Sequence, residues 1–207
     1  MKLIFLGPPG AGKGTMAKRL AAARGIVHIS TGDLFREAIA NKTELGLEVK
    51  AIIEKGGLVP DSLTVRLATG RLAAPDCGKG FILDGFPRTS AQAEALEKFT
   101  AVDAAVNFEL SEAEVVRRLS GRRLCPSCGA TFHVDFMPPK TPDVCDVCGK
   151  ALVIRKDDQI EAIRNRLAVY TRETEPLISF YGERGLLKNV NAAPAPDEVF
   201  AAVRKIL

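Results

Sequence analysis

The chain reads as an α/β fold: a five-stranded parallel sheet with helices on both faces and two segments inserted between the core elements. Three observations predict it. Five short apolar runs, KLIFLG, IVHIS, GFILDG, AAVNFEL and LLKNVNA, lack the alternation of a half-exposed sheet, as strands covered on both faces do. Helix-forming stretches lie between them, and strands that alternate with helices build parallel sheets. At 207 residues the chain can bury one sizeable core and still carry small insertions.

In chain order, KLIFLG is the first strand, and residues 13–24, KGTMAKRLAAAR, are rich in the helix formers Ala, Lys and Arg. After IVHIS, residues 30–60 are polar and helical with no strand of their own, and KGGLVPD closes them with turn residues. GFILDG precedes a helix over residues 89–98 that opens at Thr89. AAVNFEL leads into residues 111–120, where Ser111 and Glu114 have the spacing of a capping box. Residues 121–158 are loop-rich, with four cysteines and prolines at 138, 139 and 142. Asp157 or Asp158 is then placed to cap a long helix that runs to about residue 181 and bends near Pro176. LLKNVNA, the connector NAAPAPDE and a terminal helix follow, with no internal repeat or low-complexity tract.

Composition narrows the function. The chain is 46% hydrophobic and 26% charged, and its net charge of +4 is too mild for a nucleic-acid footprint. With no Trp and 2 Tyr it lacks a stacking platform for single strands. No run of apolar residues is long enough to span a bilayer, and LIFL is too short for a signal-peptide core, so the reading is a cytoplasmic protein.

The first chemical signal is GPPGAGKGT, residues 7–15. Gly7, Gly12 and Lys13 fall on the marks of G-x-x-x-x-G-K-[ST], between the first strand and the first helix. Glycines let backbone N–H groups turn inward, the helix N-terminus favours an anion, and Lys13 reaches terminal phosphates. A plain glycine turn is the alternative, and the strand–loop–helix setting argues against it. The sheet is therefore expected to be P-loop NTPase-like. One mark is missed: Gly14 stands where a Ser or Thr usually touches Mg²⁺, and Thr15 comes one residue late.

This displaced string, G-x-P-G-x-G-K-G-T, resembles the phosphate loop of the adenylate kinases, in which Mg²⁺ is held largely through waters. The resemblance implies that Gly10, Ala11, Gly12, Lys13, Gly14 and Thr15 bind ATP. STGDLFR resembles the family's nucleoside-monophosphate segment, with Thr31 at the AMP base and Arg36 on its phosphate. From the residues alone it is equally a helix start capped by Ser30 or Thr31. GGLVPD resembles the stretch that closes over the base with Gly57, Leu58 and Val59. FILDGFPRT puts Asp84 at the carboxyl end of a buried strand, where open α/β sheets place ligands. The resemblance gives Asp84 the waters of Mg²⁺, Gly85, Phe86, Pro87 and Arg88 the AMP, and Gln92 the adenine edge. An amide can pair with adenine's donor and acceptor together. Taken alone, the string is an acidic strand end followed by an exposed arginine.

Only His28 and His133 are present, and neither sits in a nucleophile arrangement. A phosphate acceptor is already ionised, so phosphoryl transfer needs positioning and fixed cations rather than a base. VRRLSGRR and RKDDQIEAIRNR supply arginines suited to phosphate oxygens. The family pattern maps onto Arg118 for adenine stacking, Arg122 for ATP phosphates, Arg155 and Arg166 for the transferred phosphoryl and AMP, and Pro194 for ATP. The catalytic set is then Lys13, Asp84, Arg88, Arg122, Arg155 and Arg166. The spacing of eleven residues between Arg155 and Arg166 is near three helical turns, which would place both on one face of a continuous helix. Arg117, Arg123 and Arg164 read as solvated charges, and Asp157 and Asp158 as anchors for arginines or the lid.

CPSC and CDVC form C-x₂-C-x₁₆-C-x₂-C, the spacing of a closed structural Zn²⁺ site on Cys125, Cys128, Cys145 and Cys148, with two disulfides as the alternative. The pair falls where adenylate kinases carry their ATP lid, and GATFHVDFMPPK resembles its hairpin core, bringing Thr131 and Phe132 to ATP. Cys77 is a spare thiol. The chain resembles the long, zinc-lidded bacterial form throughout. That implies ATP + AMP ⇌ 2 ADP with Mg²⁺, in a monomer without nucleic-acid or membrane partners. Its parts are a core (1–29, 60–120, 159–207), an AMP-binding insertion (30–59) and a lid (121–158), with hinge motion of both insertions closing over the substrates. A kinase for UMP or GMP and a nucleotide-gated zinc-ribbon nucleic-acid binder remain as alternatives.

Overall fold

The five apolar runs are the strands of one parallel sheet, as a computed structural model describing all of residues 1–207 shows. They are β1 (Lys2–Leu6), β2 (Val27–Ser30), β3 (Phe81–Asp84), β4 (Ala104–Glu109) and β7 (Leu187–Asn191), in spatial order β2-β3-β1-β4-β7. Along the central β1, Leu3 and Phe5 face one layer of helices while Ile4 and Leu6 face the other. With both faces of β1 covered, Leu3 to Leu6 are all apolar, hence the unbroken run.

The first layer holds α1 (Lys13–Arg24) and α9 (Pro196–Ile206), whose Met16, Leu20 and Val203 pack on Leu3, Phe5, Val106 and Phe108. The second is built from α4 (Asp61–Leu72), α5 (Ser90–Phe99) and α8 (Pro176–Glu183), with Ala68, Leu96, Leu177 and Tyr181 against Ile4, Leu6 and Leu83. Register puts Asp84 beside both Phe5 and Ser30, and Leu6 beside Asn107. The loops that leave β1, β2 and β3 therefore emerge side by side at the carboxyl edge.

Two smaller bodies stand over that edge. α2 (Thr31–Ala40) and α3 (Glu44–Glu54) enclose their own core of Phe35, Val49 and Val59, and are capped by Ser30 Oγ and Thr43 Oγ1. The other body follows α6 (Glu112–Ser120) and contains an antiparallel pair, β5 (Arg122–Leu124) and β6 (Thr131–His133), above a core of Cys125, Phe132, Cys145 and Leu152. No helix is long and apolar enough to cross a membrane.

Several local expectations are corrected. Ser111 Oγ accepts the N–H of Glu114, but the Glu114 carboxylate turns away to Arg117 and Arg118, so only half of the capping box forms. The helix expected to continue to residue 181 is divided earlier than Pro176: α7 (Ile160–Val169) passes into a π-helical turn, Tyr170–Thr174, before α8. Asp157 and Asp158 cap nothing; they lie in a short 3₁₀ turn, Lys156–Asp158, with their carboxylates on arginines. Arg155 precedes that turn, so it and Arg166 do not share a helix. The helix α4 carries no clear apolar stripe, and only the Pro60–Asp61 pair marks its start in the sequence.

Candidate active site

A cavity of about 1070 Å³ opens at the carboxyl edge of the sheet, between the two smaller bodies. Its wall includes the glycine loop at residues 10–15, Thr31 and Arg36 at the start of α2, residues 57–59, and Asp84, Gly85, Pro87, Arg88 and Gln92. Arg118, Arg122, Thr131, Phe132, Arg155, Arg166 and Pro194 line it as well. Of the expected site residues outside the cysteines, Phe86 alone lies elsewhere: it is fully buried behind the wall, in the core under the sheet.

The loop ahead of α1 is built to receive an anion. Gly12 takes the N-cap position in the left-handed region (φ 85°) and supplies no side-chain cap, unlike Ser30, Thr43, Thr89 and Ser111 at the helices they begin. The first-turn N–H groups of α1 keep their donors for a ligand, and no acidic side chain stands in that turn. Lys13 folds back over the loop, its Nζ donating to the carbonyls of Gly7 (2.7 Å) and Pro8 (2.8 Å). Burial lowers its pKa to about 8; Asp84 opposes the shift and Arg88, Arg166 and Arg122 add to it.

Gly14, the missed mark of the motif, has a steric reason. A Cβ there would stand 3.2 Å from Asp84 Oδ2, so the absent side chain leaves room for the carboxylate beside the loop. Burial pushes the Asp84 carboxyl up, but His28, whose Nε2 lies 3.4 Å from Oδ2, and Lys13 outweigh it and hold it below the usual range. An ionised carboxylate thus faces the phosphate loop.

Across the cavity the arginines exceed their partners. Arg122 forms a bidentate pair with Asp158 (Nε 2.7 Å, Nη2 2.6 Å), and Arg166 Nη1 lies 3.0 Å from both Asp158 and Asp157. The Asp158 side chain is 0% exposed and serves only these arginines. Arg36 pairs with Asp33 at 2.7 Å. Arg155 Nε is buried without a partner, and burial together with Arg122 and Arg36 lowers this guanidinium to about 10. Arg88 is likewise lowered to about 10, first by burial and then by Arg166. Cations crowded in this way are relieved by a polyanion.

The remaining wall is held by hydrogen bonds. Thr31 Oγ1 and Arg88 Nε both donate to the Gly85 carbonyl, at 2.8 and 2.9 Å, and Thr174 Oγ1 donates to that of Arg88. Gln92 is fastened at both ends of its amide, to Arg88 N and to Asp61. Arg118 is tied to Glu114 and to the carbonyl of Ala193, next to Pro194. Phe132 lies mostly within the small cysteine-side core. Sequence reading missed Phe136 and Met137 in the wall, although both fall in the HVDFMPP string, and Tyr170, which the unforeseen π turn delivers. It also missed Asp61, for which VPD just ahead of a helix was the available signal.

The four knuckle sulfurs lie within 4.8 Å of one another, with Cys125–Cys148 at 3.4 Å and Cys128–Cys145 at 3.5 Å. Sulfurs about 2.3 Å from a tetrahedral ion stand roughly 3.8 Å apart, whereas a disulfide needs about 2.05 Å. The cysteines are free thiols, and the donor set fits Zn²⁺. Gly129 and Gly149 N–H groups close the knuckles on the carbonyls of Cys125 and Cys145. Hydrogen bonding from the Cys128 backbone outweighs burial and lowers the Cys125 thiol to about 6.

Residues 5–186 match the family described as Adenylate kinase. The adenylate kinase of Treponema denticola is 53% identical, over 99% of this chain and 98% of its own. That of Carboxydothermus hydrogenoformans is 50% identical over 100% and 99%, and that of Methanocella arvoryzae 48% over 99% and 97%.

Proposed function

The chain belongs to the adenylate kinase family, and we propose that it uses the cavity to transfer a phosphoryl group reversibly between ATP and AMP, giving two ADP. One observation carries the reading: an uncapped helix start with Lys13, and a partly unpaired set of arginines, face each other across a single cavity with room for two nucleotides.

ATP phosphates lie on the loop amides of residues 10–15 and on Lys13, with Thr15 as a further phosphate or water contact. Arg118, Pro194, Thr131 and Phe132 hold the donor base on the other side. AMP takes the wall of Thr31, residues 57–59, Gly85, Pro87 and Gln92, with Arg36 and Arg88 on its phosphate. An ionised AMP oxygen attacks the γ-phosphorus, the bond to the β–γ bridging oxygen breaks, and no proton has to be removed. Arg122, Arg155 and Arg166 spread the charge of the equatorial oxygens, and Lys13 follows the group in transit. Asp84 is the carboxylate that would orient the water shell of a Mg²⁺ bound with the nucleotide, which would neutralise phosphate charge. Cys125, Cys128, Cys145 and Cys148 would hold Zn²⁺, which would stiffen the lid, residues 121–158, so that it moves as one piece against the core and excludes water. The same reading makes the enzyme a cytoplasmic monomer.

A coupled assay with ATP as donor and AMP, CMP, UMP and GMP as acceptors tests the reading. AMP is expected to be the preferred acceptor by a wide margin. Absence of transfer to AMP, or equal transfer to UMP, would overturn it.

A further inference from the structure

Behind the acceptor wall, outside the cavity, Asp61 begins α4. Its two carboxylate oxygens are both engaged: Oδ1 accepts from Gln92 Nε2 at 2.7 Å and Oδ2 from Thr89 Oγ1 at 3.0 Å. Gln92 itself lines the cavity and is 1% exposed, and its Oε1 accepts the backbone N–H of Arg88 at 2.8 Å. Thr89 Oγ1 accepts the backbone N–H of Gln92 at 3.2 Å while it caps α5, so its own proton is free to go to Asp61.

Resting on the acceptor reading above, we propose that Asp61 is a positioning residue for base selection, locking the Gln92 amide in one of its two orientations. A carboxylate can only accept, and a backbone N–H can only donate. Turned over, the amide would point its oxygen at Asp61 and its NH₂ at the Arg88 N–H, two contacts between like partners. The group is fixed from both sides, and it presents one lone pair and one hydrogen to the cavity in a set order. Adenine offers an exocyclic amino donor beside the ring N1 acceptor. A 6-oxopurine offers the reverse, an oxygen acceptor beside an N1–H donor. The locked amide complements the first pattern and opposes the second, and a site that leaves buried polar groups mismatched rejects strongly.

The test is equilibrium binding of AMP and IMP to the full chain, measured by calorimetry for the parent, Asp61→Ala, Asp61→Asn and Gln92→Ala, with ATP binding followed in parallel. In Asp61→Ala the IMP-to-AMP ratio of dissociation constants is expected to fall by about tenfold or more while ATP affinity holds. Asp61→Asn, whose amide can face Gln92 with either atom, should lie between Asp61→Ala and the parent. If Asp61→Ala does not fold, Asp61→Asn carries the test, with a fall of about threefold or more expected. A merely structural role would weaken both nucleotides alike; a ratio unmoved in the folded Asp61 variants overturns the proposal. So does a ratio unmoved in Gln92→Ala, since Gln92 then does not read the base. Either result leaves phosphoryl transfer to AMP standing, whereas failure of that transfer in the parent sinks the functional reading itself.

Discussion

Lys13 illustrates how burial turns a common residue into a tuned one. Its ammonium has traded water for two loop carbonyls, and burial lowers its pKa to about 8. The ordinary value is 10.5, so between these two pH values the unfolded chain holds a proton that the folded chain has released. The contribution of Lys13 to stability therefore rises with pH across that window in the nucleotide-free protein. Binding runs the other way. Phosphate beside Nζ raises the pKa again, so above pH 8 the enzyme must take up a proton to bind ATP. The expected result is a kcat/KM for ATP that is level below about pH 8 and falls by about tenfold per pH unit above it. A pH–rate profile between 6 and 10 checks this, and a flat profile would show that Lys13 stays charged in the free enzyme. Asp84 lies on the low side of the same balance and remains ionised throughout. Gly14 belongs with it: read in the string, this glycine was a missing metal ligand, and in the fold it is the space that admits the Asp84 carboxylate.

Among elements, the cysteine body has a small core of four buried residues, two of them metal-ligand candidates, and on the proposed reading it would depend most on a bound ion. Apart from two of the cysteines themselves, its only buried apolar side chains are Phe132 and Leu152, too little apolar surface to hold some forty residues. Zinc bound by the four cysteines would contribute folding energy there. Removing the metal with a chelator, or replacing Cys145 by Ser, is expected to raise hydrogen exchange across residues 121–158 while amides of β1, β3 and β4 keep their protection. The KM for ATP should rise and AMP affinity should change little, because the AMP wall is built from α2, α5 and the loop after β3. Exchange measured by mass spectrometry with metal bound and stripped decides it; uniform loss of protection would mean that the lid is no separate unit. The cysteine body was legible from spacing, as were the strands, because a strand buried on both faces leaves a bare apolar run. The segment 155–176 was not. Its sequence fits a continuous helix, whereas the fold has a π turn at Tyr170–Thr174 from which Thr174 Oγ1 donates to the carbonyl of Arg88. Arg155 and Arg166 do meet in one cavity, but by tertiary placement rather than by helical spacing.

For the molecule as a whole, the cavity is an electrostatically unbalanced site, lined by more cations than carboxylates. Lys13, Arg36, Arg88, Arg122, Arg155 and Arg166 all line one cavity, against which Asp33, Asp84, Asp157 and Asp158 are too few to balance them. On the reading proposed above, two nucleotides would supply the missing charge, so that binding and closure would be one event and release would require the bodies to part. The base of the cysteine body touches the α2–α3 body, where Lys156 Nζ lies 3.0 Å from Glu54, and α7 of the core touches it too, Asn165 Nδ2 donating to the carbonyl of Lys55 at 2.7 Å. If opening here limits turnover, joining the two bodies should slow it. Cysteines placed at Glu54 and Lys156 and bridged with a short reducible reagent are expected to lower kcat by about tenfold or more, with recovery on reduction and no loss in either single variant. The chemical step is not the target of the link, so a single turnover from preloaded substrates should keep its rate. Steady-state turnover unchanged by the bridge would sink the gating argument, and a slowed single turnover would place the effect in the chemistry instead.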